Sequence, residues 1–288
     1  MKRPMFILAM SLLIGTLLES TVMAQLRTPI LSPRQTITQV VGIADVTIDY
    51  SRPSIRGRKI MGGLVPFNEV WRTGANASTK ISFSEDVMLN GNKVAAGEYA
   101  IFTIPTEKEW TIILSDNLTA GASYPGEAND VTRFVISSKT TSETAESFTI
   151  SITDLKSNSA NVCMAWENTV VEFKMEFDID TKIMADIDEE MKDMQSRNAQ
   201  LYQQAAGYYF NNGKDLNKSL EWINKAIELN GGPFFVLRTK SQIQAALKDY
   251  KGAIKTAELS MKKAKEVENE QFVKFNEEAI AEWKKMME

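Results

Sequence analysis

The sequence predicts an α+β multidomain protein, an antiparallel β-sandwich followed by an array of α-helical hairpins. Three observations carry that expectation. Short runs of alternating apolar and polar residues recur between turn residues from about position 37 to 178. No helix-length amphipathic segment interrupts them, so parallel crossovers have no material. Beyond residue 183 the apolar spacing changes from two to three and four, the period of a helix.

The opening of the chain reads as targeting rather than structure. Lys2 and Arg3 precede an apolar run over about residues 5–18, and short side chains at Val22 and Ala24 come just before Gln25. That is the pattern of a signal peptide over residues 1–24. The run is shorter than the roughly 20 residues a bilayer span needs. The expectation is an exported protein, periplasmic or secreted, with no transmembrane segment after cleavage. Residues 25–36, with Pro29 and Pro33, read as an extended leader into a β domain of residues 37–178.

In that domain the strand-like runs fall at 39–42, 46–50, 80–84, 99–104, 110–115, 132–138, 147–153, 161–166 and 170–177. Turn signals separate many of them, among them Asn90-Gly91-Asn92, Ala96-Gly97, Pro125-Gly126 and Lys156-Ser157-Asn158. The helical region, residues 183–288, starts with a stripe of Met184, Ile187, Met191, Met194, Asn198, Leu201, Ala205 and Tyr208. Its heptad-like period fits a dimerising coiled coil or a helix packed on its own domain, and the second is favoured by the methionines and Asn198. Shorter helices follow. Leu216, Leu220, Ile223 and Ile227 mark one that Asn230-Gly231-Gly232-Pro233 stops. Residues 237–247 form the next. Ala253, Ala257, Met261 and Ala264 mark another, and Phe272, Phe275, Ala279, Trp283 and Met286 the last.

Composition excludes much chemistry. The 288 residues include no histidine and one cysteine, Cys163. Ser-His-Asp and Cys-His nucleophile pairs are therefore impossible, as is the usual zinc ligation by His and Cys. An enzyme would have to work through carboxylates, Lys, Tyr, Arg or an oxygen-bound metal. No catalytic residue, metal or cofactor is expected. Cys163 cannot form an internal disulfide and reads as a small buried hydrophobe. The net charge of −4 offers no general attraction to nucleic acid, and none is expected as a partner.

The segment over residues 50–80 is long for a connection in a β protein, and such loops on rigid sheets often bind. Arg52, Arg56, Arg58, Lys59 and Arg72 face one local anion, Glu69. Three readings compete. The cations and loop amides take a small anionic or glycan ligand, with arginine forks on a carboxylate or phosphate and Trp71 stacked on a ring. Alternatively they cap strand ends and pair with neighbouring acids, or they bind nucleic acid, which the acidic, exported context opposes. The candidate ligand-binding residues are Arg52, Arg56, Arg58, Lys59, Trp71, Arg72, Thr73 and Asn76. The carboxylate pairs Glu85/Asp86 and Asp178/Asp180 are weaker candidates for hydrolysis or metal binding, since adjacent acids are common on surfaces.

Several stretches of this segment and its surroundings carry a resemblance. They are Ser51-Arg52-Pro53 with Arg56-Gly57-Arg58, Gly62-Gly63-Leu64-Val65-Pro66, and Glu69-Val70-Trp71-Arg72-Thr73-Gly74-Ala75-Asn76. The Ala96-Gly97-Glu98-Tyr99 to Phe102-Thr103-Ile104-Pro105 hairpin, Trp110 and Asp130-Val131-Thr132-Arg133 add to them. From about residue 50 to 177 the chain resembles the DUF2911 family of exported proteins. The resemblance implies a β domain, often with helical repeats after it, and implies no activity. One departure lies at residues 120–125, where the family often has a tryptophan before its Gly-Ala.

The helices resemble tetratricopeptide repeats. Gly207, Phe210, Ala226 and Asn230-Gly231 match a first repeat, with Ser219 in place of the usual alanine. Lys248-Asp249-Tyr250-Lys251-Gly252-Ala253-Ile254 match the middle of a second, in which Ser241 and Gln244 depart from the pattern. Such arrays imply a concave surface for a protein or peptide. The expected function is a non-catalytic cell-envelope binding protein. A carboxylate-dependent hydrolase of envelope glycans or peptides and a purely structural envelope component are the alternatives.

Overall fold

The computed structural model describes residues 28–119, 121–193 and 198–288. The signal peptide expected over residues 1–24 lies outside them, as do Ala120 and Met194. The described residues form a large antiparallel sheet followed by helices, an α+β architecture. They divide into two compact units at residues 175/176.

In the first unit nine strands run in the order β1-β2-β3-β6-β7-β8-β9-β4-β5. They are β1 (Arg34–Val41), β2 (Ala44–Ser51), β3 (Thr79–Phe83), β4 (Val87–Leu89), β5 (Asn92–Val94), β6 (Gly97–Pro105), β7 (Glu109–Ser115), β8 (Asp130–Thr153) and β9 (Ser159–Phe177). Alternation explains them: in β2 every second residue, from Ala44 to Tyr50, is buried. Val46, Ile48, Ile81, Phe83, Ile101 and Ile112 are buried in this sheet, and Ala100, Phe102 and Ile113 form a separate cluster. The β4–β5 hairpin turns on Asn90 (φ 47°) and Gly91 (φ 89°), the left-handed pair that a two-residue turn demands.

Three strand expectations change. Residues 34–36 belong to β1, not to the leader. The runs 132–138 and 147–153 are one strand, β8, and 161–166 and 170–177 are likewise one, β9. The polar stretch between the first two runs contains no Gly, Pro or Asn to turn the chain. It stays extended and absorbs its mismatch as register shifts near Ala145. The first part of β8 pairs with β7 and its second part with β9, so this one strand joins the two halves of the sheet.

The second unit contains α1 (Ile179–Glu190), α2 (Ala199–Asn211), α3 (Leu216–Asn230), α4 (Phe234–Ala246), α5 (Tyr250–Glu266) and α6 (Glu270–Lys285). Consecutive helices from α2 to α6 pack on one another. The single stripe expected from Met184 to Tyr208 is two helices. Asn198 is not a position in its seam but the N-cap of α2, accepting from the Leu201 N–H at 2.9 Å. Asp178, Asp215, Asp249 and Asn269 cap α1, α3, α5 and α6 in the same way. Gly231 ends α3 in the left-handed conformation (φ 73°), as its Asn-Gly-Gly-Pro stop implies. Met184 and Tyr208 both pack against a core of Ile187, Ala205, Tyr209, Trp222 and Ile223, so the stripe serves its own unit.

Candidate functional site

The long connection between β2 and β3 is pinned to the sheet at two places. At its first end Arg52 reaches across to β8. Its Nε donates to Phe148 O at 3.1 Å and its Nη2 to Thr149 Oγ1 at 2.7 Å. Backbone bonds join the same edges: Phe148 N–H to Pro53 O at 2.8 Å and Ile55 N–H to Glu146 O at 2.8 Å. At the other end Trp71 exchanges backbone bonds with Thr103 of β6, at 2.7 and 2.9 Å.

The Trp71 indole lies among aromatics of three adjacent strands. Its ring is 5.9 Å from Trp110 on β7, 5.1 Å from Phe148 on β8, and stacked 5.7 Å from Trp166 on β9. Its Nε1–H donates to Gly74 O at 3.1 Å. Its stacking partner, Trp166, and its acceptor, Gly74 O, are both supplied from within the domain.

The Trp71–Asn76 turn is held in an unusual backbone. Thr73 (φ 55°) and Asn76 (φ 64°) are left-handed, as is Arg56 (φ 49°). Asn tolerates this region; a β-branched threonine does not without support. The support is visible. Thr73 is fully buried, its Oγ1 donates to Thr103 Oγ1 at 3.2 Å, and Thr79 Oγ1 donates to its carbonyl. Glycine suits position 74, where φ is 157° and a Cβ would stand only 3.1 Å from Ser51 O. Asn76 Nδ2 ties the turn to Ser51 Oγ at 3.1 Å.

Between the two pinned ends lies a cavity of about 310 Å³. Arg56, Arg58, Trp71 and Arg72 line it, and so do Trp166 and the segment Leu31-Ser32. Arg56 Nη2 donates to Leu31 O at 2.7 Å. Arg58 folds back on its own loop, donating to Ile55 O at 3.0 Å and Ser54 O at 2.7 Å. Arg72 is different: its Nε is buried with no hydrogen-bond partner among the described residues, and the same holds for Trp166 Nε1 and Trp110 Nε1. Among the described residues no carboxylate forms an ion pair with any of these arginines, and no Asp or Glu lines the cavity. The acid nearest in role, Glu146, accepts from the Arg56 backbone N–H at 3.1 Å rather than from its guanidinium.

Of the eight candidate residues, four share the cavity: Arg56, Arg58, Trp71 and Arg72. Arg52, Thr73 and Asn76 brace its walls, and Lys59 is exposed outside it. Trp166, Leu31 and Ser32 escaped sequence reasoning. Trp166 sits in an ordinary alternating strand about 95 residues from Trp71, with no local signal of its role.

The other candidates serve local structure. Asp86 accepts from the Ala96 N–H at 3.0 Å and pairs with Lys93, which hold its carboxyl below the usual range. Asp178 caps α1, and Asp180 binds Tyr208 and Lys214, both at 2.7 Å. Burial and that Asp180 bond push the Tyr208 hydroxyl up to about 12. Cys163 is half-buried, and burial pushes its thiol up. Among the described residues no three His, Cys, Asp or Glu side chains come together as a metal would need, and no helix is long and apolar enough to cross a membrane.

No curated protein and no solved structure matches the chain. One family model does, described as a protein of unknown function (DUF2911), over residues 32–175. It covers the strands up to Met175, ends before the helices and takes in every lining residue of the cavity except Leu31. Spanning half of the 288 residues, it makes the chain a member of the DUF2911 family.

Proposed function

We propose that the β domain is a non-catalytic binding module of the cell envelope. Its arginine-lined cavity takes a small anionic or carbohydrate-like ligand. The observation that carries this reading is the buried Arg72 Nε without a partner, beside two further guanidiniums that no carboxylate neutralises. A buried donor left unmade costs about 1–3 kcal/mol, and a ligand acceptor would remove that cost. Left-handed Arg56, Thr73 and Asn76 around the same cavity add support, because strain of this kind gathers at functional sites.

The alternatives fare unequally. A carboxylate hydrolase would need acids facing the ligand, and none lines this cavity. A purely structural role accounts for Arg52, whose donors are used within the domain, but leaves Arg72 unexplained. Export through the leader belongs to this proposal, as do the sandwich arrangement of the sheet and the tetratricopeptide-like arrangement of the helices.

A second element of the proposal concerns the helices, which we assign to a protein or peptide partner. A groove of about 320 Å³ between α2, α4 and α6 favours it. Arg238 lies in that groove over the Phe275 ring at 4.9 Å, and its Nη1 is buried without a partner among the described residues.

The test is a thermal-shift screen of the mature chain against sugars, sugar acids, nucleotides, short peptides and divalent metals. A ligand that binds the folded state raises Tm by mass action. The expected result is a stabilising ligand whose effect disappears in Arg72→Ala. A hit unaffected by both Arg72→Ala and Arg56→Ala, in variants that stay folded, would remove the cavity from the reading.

A further inference from the structure

We infer that the occupant of the arginine cavity is an anion, a carboxylate or phosphate on a small organic body, and not a neutral polyol. This narrows the binding reading above and rests on it.

Side-chain donors outnumber side-chain acceptors in the lining of the cavity. The side chains that line the cavity with nitrogen are three arginines and two tryptophans, and every one of them is donor-only. No Asp, Glu, Asn, Gln, Thr or Tyr side chain lines it. The side-chain acceptors are the hydroxyls of Ser32 and Ser54, and Ser54 Oγ is already bonded to Ser147 Oγ at 2.9 Å.

Many of the backbone carbonyls are also engaged. Leu31 O accepts from Arg56, Ser54 O from Arg58, and Gly74 O from Trp71. Ser32 O accepts from Asn76 at 3.4 Å, Pro53 O from Phe148 at 2.8 Å, and Arg72 O from Thr79 at 3.2 Å. The lining has thus spent much of its acceptor capacity inside the domain, while two buried donors, Arg72 Nε and Trp166 Nε1, have no partner among the described residues.

A polyol brings a hydroxyl proton with every oxygen. Here few acceptors remain for those protons, and each one buried unmatched costs about 1–3 kcal/mol. A carboxylate or phosphate brings acceptors alone. Its bonds to guanidinium are charge-assisted and roughly twice as strong as neutral ones. Size limits the organic body: about 310 Å³ is the low end for ligand pockets, larger than a bare ion needs and small for a polymer.

The experiment is titration calorimetry on the full mature chain at low ionic strength. The probes are glucose, glucuronate and glucose 6-phosphate, which share one ring and differ in the acid they carry, with inorganic phosphate and acetate alongside. The expected result is that at least one acid binds, at least tenfold tighter than glucose, and weakens as salt is added. Arg72→Gln should lower that affinity at least tenfold. Arg58→Gln, at an exposed position of the lining, repeats the test should the first variant fold poorly. Binding by the carboxylates alone assigns an organic acid, and by the phosphates alone a phosphorylated ligand. Glucose binding as tightly as the acids would overturn the inference and leave the cavity reading standing. Binding by none of the five probes would overturn both.

Discussion

Arg52 and Arg72 stand at opposite ends of one connection, yet the fold treats them in opposite ways. Arg52 crosses to β8 and bonds Phe148 O and Thr149 Oγ1. Arg72 lines a cavity with its Nε buried and unmatched. The same side chain is a strut in one place and an open donor in the other. A charge cluster in a sequence therefore says that cations are gathered, and only their partners say what they are for.

Three substitutions sharpen that contrast or break it. The largest effect is expected from Trp71→Ala, which empties the space among Trp110, Phe148 and Trp166. It should destabilise the β domain by about 3–5 kcal/mol, read by urea unfolding. A loss under about 1 kcal/mol would mean that the indole is free to stack on a ligand.

Arg52→Ala comes next. It strands Phe148 O and Thr149 Oγ1, and a loss of about 1–3 kcal/mol is expected, with ligand affinity changed little wherever the fold survives. Equal stability in the variant would erase the distinction between the two arginines.

Arg72→Gln should cost the least stability, with no loss of the ligand-free fold expected, because it removes an unpaired donor rather than a bond. Its effect belongs to ligand affinity. Strong destabilisation of the ligand-free domain would make Arg72 a second strut.

Much of this architecture was legible in the residues. Alternation located seven of the nine strands but not the three-residue β4 and β5, and Asn230-Gly231-Gly232-Pro233 fixed the end of α3. The motif Trp71-Arg72-Thr73-Gly74-Ala75-Asn76 pointed to the right turn and the right family. What stayed hidden depends on tertiary placement. Asn198 falls on the apolar spacing of its neighbours, so periodicity counted it as one more seam position when its side chain was a cap. The polar middle of β8 looked like a loop because its exposure, not its backbone, set its composition. Trp166 joins the site only because β9 runs beside β8, and nothing in its own stretch reports that. For the arginines, charge was visible and partners were not.

The most direct test of the anion cavity watches the Trp166 indole N–H by nitrogen–proton NMR during a titration with glucuronate or inorganic phosphate. Five indole signals are available, and Trp222 and Trp283 in the helical unit serve as internal references. The expected result is a saturable downfield shift of the Trp166 signal, absent in Arg72→Gln, with the Trp222 and Trp283 signals unmoved. A Trp166 signal that stays in place while an anion binds would contradict the account, for it would leave that buried donor unused and the cavity unoccupied.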